Sequence, residues 1–308
     1  MQFYDFKEIE ERVILIGVQT EQDEDVAASL DELEELAATA GAVTVGKVIQ
    51  NREAVHPGTY IGKGKIEEVA ALLAAYDANG VICDDELSPA QMNNLERELD
   101  CKVMDRTLLI LDIFAARAST SEGKIQVELA QLRYRSARLV GLRESLSRLG
   151  GGIGTRGPGE KKLETDRRLI RTRISALKAE LAQVEKHREL IRGKRSRGNL
   201  KTAAIVGYTN AGKSTLLNTL TGAGILAEDK LFATLDPTTR VLELKDGQQI
   251  LLTDTVGFIR KLPHHLVEAF KSTLEEAKYA DYIIHVVDAS NPQAELQMHT
   301  VYETLREL

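Results

Sequence analysis

Gly207-Tyr208-Thr209-Asn210-Ala211-Gly212-Lys213-Ser214 spells G-x-x-x-x-G-K-S, a spacing suited to holding phosphate. Its glycines let consecutive backbone N–H groups face phosphate oxygens, Lys213 can reach the β- and γ-phosphates of a nucleotide, and the Ser214 hydroxyl can ligate Mg²⁺. The motif carries weight only between a buried strand and a helix. Residues 202–206 (TAAIV) supply the first, and residues 215–220 begin the second. Downstream, residues 249–252 lead into Asp254-Thr255-Val256-Gly257, an apolar strand ending in D-x-x-G. An aspartate there can hold magnesium through water, and the glycine amide can sense a γ-phosphate. Between the two motifs runs LFATLDPTTR at 231–240, whose Thr234, Thr238 and Thr239 each offer a second hydroxyl to the metal. Phosphate loop, threonine-bearing loop and D-x-x-G in this order match a GTPase with two switches rather than an ATP-using kinase.

The residue after D-x-x-G is Phe258, where many GTPases place a glutamine that orients the attacking water. A phenyl ring neither donates nor accepts a hydrogen bond, so hydrolysis without a partner is expected to be slow. His264 and His265 are adjacent and point apart, while His56, His187, His285 and His299 are scattered without metal-ligand spacing; no histidine receives a role. A second glycine-rich run competes for the nucleotide on paper, because residues 152–157 (GIGTRG) read G-x-G-x-x-G. A dinucleotide turn needs a buried strand before its glycines and a helix packed on that strand after them. Here the end of a basic helix (RESLSRL) comes before and Pro158 follows, which describes an exposed tip between two helices.

Three segments are expected to position these residues. Residues 1–120 alternate apolar runs at 13–18, 43–49, 80–83 and 101–104 with helical periods at 25–40, 65–78 and 88–99, the pattern of a small parallel α/β domain. Within it Asp84, Asp85 and Glu86 read as solvated loop acids, and HPGTYIGKGK at 56–65 as a turn capping the next helix. Over residues 121–199 the period changes. Ile125, Leu129, Leu132, Ser136 and Leu139, then Ile170, Ile174, Leu177, Leu181 and Val184, mark the seam of an antiparallel helical hairpin, with an arm about 30 Å long. GKRSRGN at 193–199 is its polar linker to residues 200–308, the doubly wound phosphate-loop domain.

Charge separates the same segments. The chain carries a net charge of −7, yet residues 124–200 hold 20 of its 40 Lys and Arg but only 8 of its 47 Asp and Glu. One strongly basic module between two acidic ones points to a polyanionic partner, RNA above all. Arg148, Arg156, Lys161 and Lys162 flank the glycine tip and are the expected RNA contacts. The 43% hydrophobic and 28% charged composition is that of an ordinary globular chain. No window is long and apolar enough for a membrane span, and the acidic start MQFYDFKEIEE is unlike a signal peptide. Cys83 and Cys101 each adjoin an apolar run and are expected to be reduced, which places the protein in the cytosol.

GYTNAGKSTLLN, FATLDPTTR, LLTDTVGFI and VVDASNP, preceded by GGIGTRGPGEKKLETDRR, together resemble the HflX family of translational GTPases over essentially the whole chain. The resemblance implies an N-terminal α/β domain, a helical hairpin and a GTPase domain, acting as a cytoplasmic monomer on the large ribosomal subunit and its RNA in ribosome splitting, rescue or biogenesis. It places nucleotide contacts on Gly207, Tyr208, Thr209, Asn210, Ala211, Gly212, Lys213 and Ser214, on Phe232, Ala233, Thr234, Leu235 and Asp236, and on Asp254, Thr255, Val256 and Gly257. Mg²⁺ falls on Ser214 and Thr234, and catalysis of GTP hydrolysis on Lys213, Thr234 and Gly257. The sequence stops at Leu308, within the helix that would precede the guanine-selecting N-K-x-D. The GTPase domain is therefore expected to be incomplete, with weak affinity and an open sheet edge at 282–288. A non-catalytic ribosome- or RNA-binding module is the alternative function.

Overall fold

The computed structural model describes residues 10–21, 25–149, 158–196, 200–222, 230–262 and 271–306. The chain divides into two compact units, Met1–Asp112 with Ala137–Thr155, and Ile113–Ser136 with Arg156–Leu308.

The first unit is a four-stranded parallel sheet in the order β2-β1-β3-β4, with strands Arg12–Gln19 (β1), Val43–Asn51 (β2), Gly80–Cys83 (β3) and Lys102–Asp105 (β4). The run VILIGV in β1 is buried throughout, as a central parallel strand covered on both faces requires. Helices Val26–Thr39 (α1), Lys63–Tyr76 (α2) and Pro89–Leu99 (α3) cover it. Their starts are set by local chemistry. Asp25 caps α1 by accepting from the Ala28 N–H at 3.0 Å, and Ser88 and Gln91 form a reciprocal capping box ahead of Pro89. A fourth helix, Arg106–Arg117 (α4), follows β4 directly. Leu109, Ile110, Leu111, Ile113 and Phe114 are buried, while Asp112, Ala115 and Ala116 form one exposed face at helical spacing.

Of the acids after β3, Glu86 is exposed as expected, but Asp84 and Asp85 are engaged by the protein. Asp84 is fully buried and accepts from the Arg106 guanidinium at 2.9 Å and from the Ser29 hydroxyl at 2.8 and 3.0 Å; Glu32 also pairs with Arg106. Asp85 accepts from the Tyr60 hydroxyl at 2.6 Å. Asp105 caps α4 by accepting from the Leu108 N–H at 2.8 Å and also binds Arg138 at 2.5 Å. The physical reason is register: β3 pairs with β4 so that Cys83 faces Asp105, and the residues that follow each strand meet. Cys83 is buried on β3, Cys101 is part-buried just before β4, and both are free thiols.

The second unit contains a second sheet and a helical hairpin whose first helix belongs to it as far as Ser136. Helices Ser121–Leu149 (α5) and Pro158–Ser196 (α6) meet through Ile125, Leu129 and Leu177, with Leu132, Ile174 and Leu181 alongside. Arg173 makes a two-pronged bond to Glu128 across this seam at 2.7 and 2.8 Å. The sheet has the order β6-β7-β5-β8, from Lys201–Gly207 (β5), Thr238–Glu243 (β6), Gln249–Asp254 (β7) and Tyr282–Val286 (β8), all parallel except β6. Helices Lys213–Thr221 (α7), Lys271–Lys278 (α8) and Ala294–Arg306 (α9) complete it. Because β5 lies between β7 and β8, its carboxyl end sits where the chain crosses to opposite sides of the sheet, the place where such sheets bind ligands. Tyr282 and Ile283 on the edge strand β8 are 56% and 50% exposed.

Candidate functional site

The phosphate-loop motif leaves the carboxyl end of β5 and turns into α7. Gly212 takes φ +89°, a left-handed conformation that suits glycine, and caps α7 without any side-chain hydrogen bond. The first N–H groups of α7 therefore face a cleft with no capping oxygen on them, where an anion is favoured. That cleft is lined by Thr209, Asn210, Gly212, Lys213, Ser214, Thr215, Lys230, Phe232, Ala233, Thr234, Thr255 and Gly257.

Three separate loops are stitched together around it. The Thr209 N–H donates to the Phe258 carbonyl at 2.7 Å, and the Phe258 N–H to the Gly207 carbonyl at 3.1 Å, so the phosphate loop and the segment after D-x-x-G form a short parallel bridge. A Cβ at position 257 would lie 2.5 Å from the Thr209 Cα, closer than packed atoms come; only glycine permits this approach. The Thr209 hydroxyl accepts from the Phe232 N–H at 2.9 Å, which draws in the threonine-bearing loop.

Lys213 is only 6% exposed, and its ammonium donates to the Tyr208 carbonyl at 2.6 Å. Burial lowers its pKa to about 8, against the opposing pull of Asp254. The Ser214 hydroxyl donates to Asp254 Oδ2 at 2.6 Å and lies 2.9 Å from the Thr234 hydroxyl. Asp254 is fully buried, and burial raises its pKa although the Ser214 hydrogen bond and the Lys213 charge act the other way. Its Oδ1 accepts no hydrogen bond among the described residues.

The three candidate threonines separate here. Thr239 shares a hydrogen bond with Thr253 at 2.9 Å on the β6–β7 ladder, and Thr238 is held in the same strand opposite Asp254; Thr234 alone of the three is bonded to Ser214. Of the run 232–236, Phe232, Ala233 and Thr234 line the cleft, whereas Leu235 is buried and both carboxylate oxygens of Asp236 are taken by Ser119 and Thr120. Gly207, Tyr208, Ala211, Asp254 and Val256 stand behind the lining, with Asp254 reaching it through Ser214. Phe258 is 2% exposed, its backbone held in the bridge. Lys230 lines the cleft without any motif to signal it, and Ser119 and Thr120 lie 117 and 116 residues from their partner. Arg156 and the side chains of Arg148, Lys161 and Lys162 lie outside the described residues.

Residues 27–115 match the family described as GTP-binding GTPase N-terminal, residues 117–195 the GTP-binding GTPase middle region, and residues 202–307 the 50S ribosome-binding GTPase family. The chain is 75% identical to GTPase HflX of Lacrimispora saccharolytica over 99% of its own length and 72% of that protein's. It is 56% identical to GTPase HflX of Caldanaerobacter subterraneus over 97% and 69% of the two chains, and 49% identical to that of Escherichia coli K12 over 97% and 70%. Among solved structures, a complex of SsGBP with GDP superposes with a TM-score of 0.54 at 29% identity, covering 96% of this chain and 78% of that one. A GTP-binding protein of Sulfolobus solfataricus in complex with GDP gives 0.50 at 27% identity, with the same coverage. An α/β chain with a phosphate-loop cleft, matched to these relatives over nearly its whole length, belongs to the HflX family of GTPases.

Proposed function

We propose that the cleft beside Lys213 holds the phosphates of GTP with Mg²⁺ on Ser214 and Thr234, and that the protein works on the large ribosomal subunit through its basic hairpin. The observation that carries the reading is the convergence of two hydroxyls and a buried carboxylate, Ser214, Thr234 and Asp254, at the uncapped start of α7. These residues fit a hard cation. All of their ligating atoms are oxygen, and Asp254 Oδ1 is a buried acceptor that receives no hydrogen bond among the described residues. When bound, Mg²⁺ offsets the negative charge of the β- and γ-phosphates.

The chain's own groups supply the rest. Lys213 stands ready to exchange the Tyr208 carbonyl for phosphate oxygens, the first N–H groups of α7 point at the same place, and the Gly257 N–H is available to a γ-phosphate. Phe258 cannot orient water: its side chain has no hydrogen-bonding atom and is buried. Docking on the ribosome is proposed to place the water or exclude solvent, which makes turnover depend on the subunit. The basic segment 124–200 and the description of the family matched by residues 202–307 support that partner.

Labelled GTP and ATP titrated against the protein, followed by single-turnover hydrolysis with and without large subunits, test the reading. Nucleotide binding that is lost in Lys213→Ala and a rate increase with subunits are expected. Binding unchanged in Lys213→Ala would overturn the site's assignment, and a rate indifferent to subunits would overturn the partner's role.

A further inference from the structure

We propose that Phe114, Ser119 and Thr120 are positioning residues for GTP hydrolysis: they latch the loop that carries Thr234 onto the first turn of helix α5. The inference rests on the reading that Thr234 serves the phosphate site, and assigns what holds it there. Thr234 is gripped two residues away on either side. On one side, the Phe232 ring meets Phe114 edge to face at 4.7 Å, both rings being buried, and Phe232 takes φ +54°, a left-handed conformation uncommon outside glycine. On the other, Asp236 Oδ2 accepts from the Ser119 N–H at 2.9 Å, the Ser119 hydroxyl at 2.6 Å and the Thr120 N–H at 3.0 Å, while Oδ1 accepts from the Thr120 hydroxyl at 2.6 Å.

The geometry is specific to a carboxylate at this place. Thr120 also caps α5, accepting from the Gly123 N–H at 2.9 Å, so Asp236 sits at the positive end of a 29-residue helix. Room for the carboxylate depends on position 123, where a Cβ would lie 2.5 Å from Asp236 Oδ1. A loop fixed to a helix in this way links the two sites reciprocally. Whatever shifts the first turn of α5 shifts Thr234, and whatever Thr234 binds restrains α5.

Gly123→Ala tests the latch without removing any of its partners. Alanine favours a helix over glycine, so a purely structural role predicts an unchanged or higher Tm and unchanged kinetics. The latch predicts that kcat for GTP falls about tenfold, equivalent to about 1.4 kcal/mol, while GDP affinity and Tm hold. Ser119→Ala/Thr120→Val should reproduce the loss, and Thr120→Ser, which keeps the hydroxyl, should restore wild-type kcat. Wild-type kcat in Gly123→Ala and in the double variant would overturn the proposal, as would kcat, GDP affinity and Tm all falling together. Thr234→Ala run alongside separates the two readings: if it hydrolyses GTP normally, the site assignment fails, whereas if it is inactive and the latch variants are normal, only the latch fails.

Discussion

Lys213 lets the phosphate site be tested through protons. Its ammonium is almost wholly buried, with one carbonyl partner and a pKa lowered to about 8. Phosphate oxygens favour the charged form, so binding should return that pKa well above 9 and draw in the missing fraction of a proton. For a pKa of about 8 in the empty site, the neutral fraction is about 0.1 at pH 7 and about three quarters at pH 8.5. GDP binding followed by titration calorimetry, in two buffers of different ionisation enthalpy, should therefore show proton uptake rising from about 0.1 to about 0.7 over that interval. The same shift fixes a stability trend. A lysine whose folded pKa is depressed makes the unfolded chain bind more protons between pH 8 and 10.5, so Lys213 by itself adds stability as pH rises through that window, against the opposite contribution of the Cys83 and Cys101 thiols, whose pKa values burial raises. Uptake that stays flat from pH 7 to pH 8.5 would show that Lys213 is already charged in the empty site, or that phosphate does not meet it, and would refute the reasoning.

Three further outcomes are expected. Arg106→Met leaves Asp84 and Glu32 without their buried guanidinium and should cost about 3–5 kcal/mol by urea unfolding, part of it recovered by adding Asp84→Asn; a loss below about 1 kcal/mol would contradict the network. Phe258→Gln should not hydrolyse GTP faster, because the side chain is packed inside the bridge, and should lose about 1–3 kcal/mol of stability by burying an unpaired amide; a faster single-turnover rate would place residue 258 at the water after all. Alanine at Arg148, Arg156, Lys161 and Lys162 should weaken large-subunit binding and flatten its salt dependence by about 0.7 log unit for each phosphate no longer neutralised; an unchanged slope would take the tip away from RNA.

Legibility in the sequence followed the range of the interaction. The phosphate loop is readable because its strand, glycines, lysine, serine and helix are contiguous, and the hairpin because seam residues such as Leu129 and Leu177 recur at helical spacing. Helix α4 escapes because its exposed face is marked in the sequence by Asp112 alone, with Ala115 and Ala116 completing it, so TLLILDIFAAR reads as an apolar run. Asp84 reads as solvated because its meaning lies in Arg106, 22 residues on, and reaches it only through the pairing of β3 with β4. Thr234, Thr238 and Thr239 are equivalent by residue type; the β6 ladder occupies the last two and so distinguishes the first. Asp236 offers a carboxylate beside the nucleotide loop, and nothing local reveals that Ser119 and Thr120 claim it.

The bridge between Tyr208 and Phe258 joins the stretch that cradles phosphate to the stretch that follows D-x-x-G. With Gly257 pressed against Thr209, the two stretches pack as one continuous plate. Departure of a γ-phosphate would then be felt at the margins of the plate, at Thr234 on one side and at Arg260 on the other, where the Arg260 N–H meets the Tyr208 hydroxyl at 2.9 Å. The protein's clock would run on those margins.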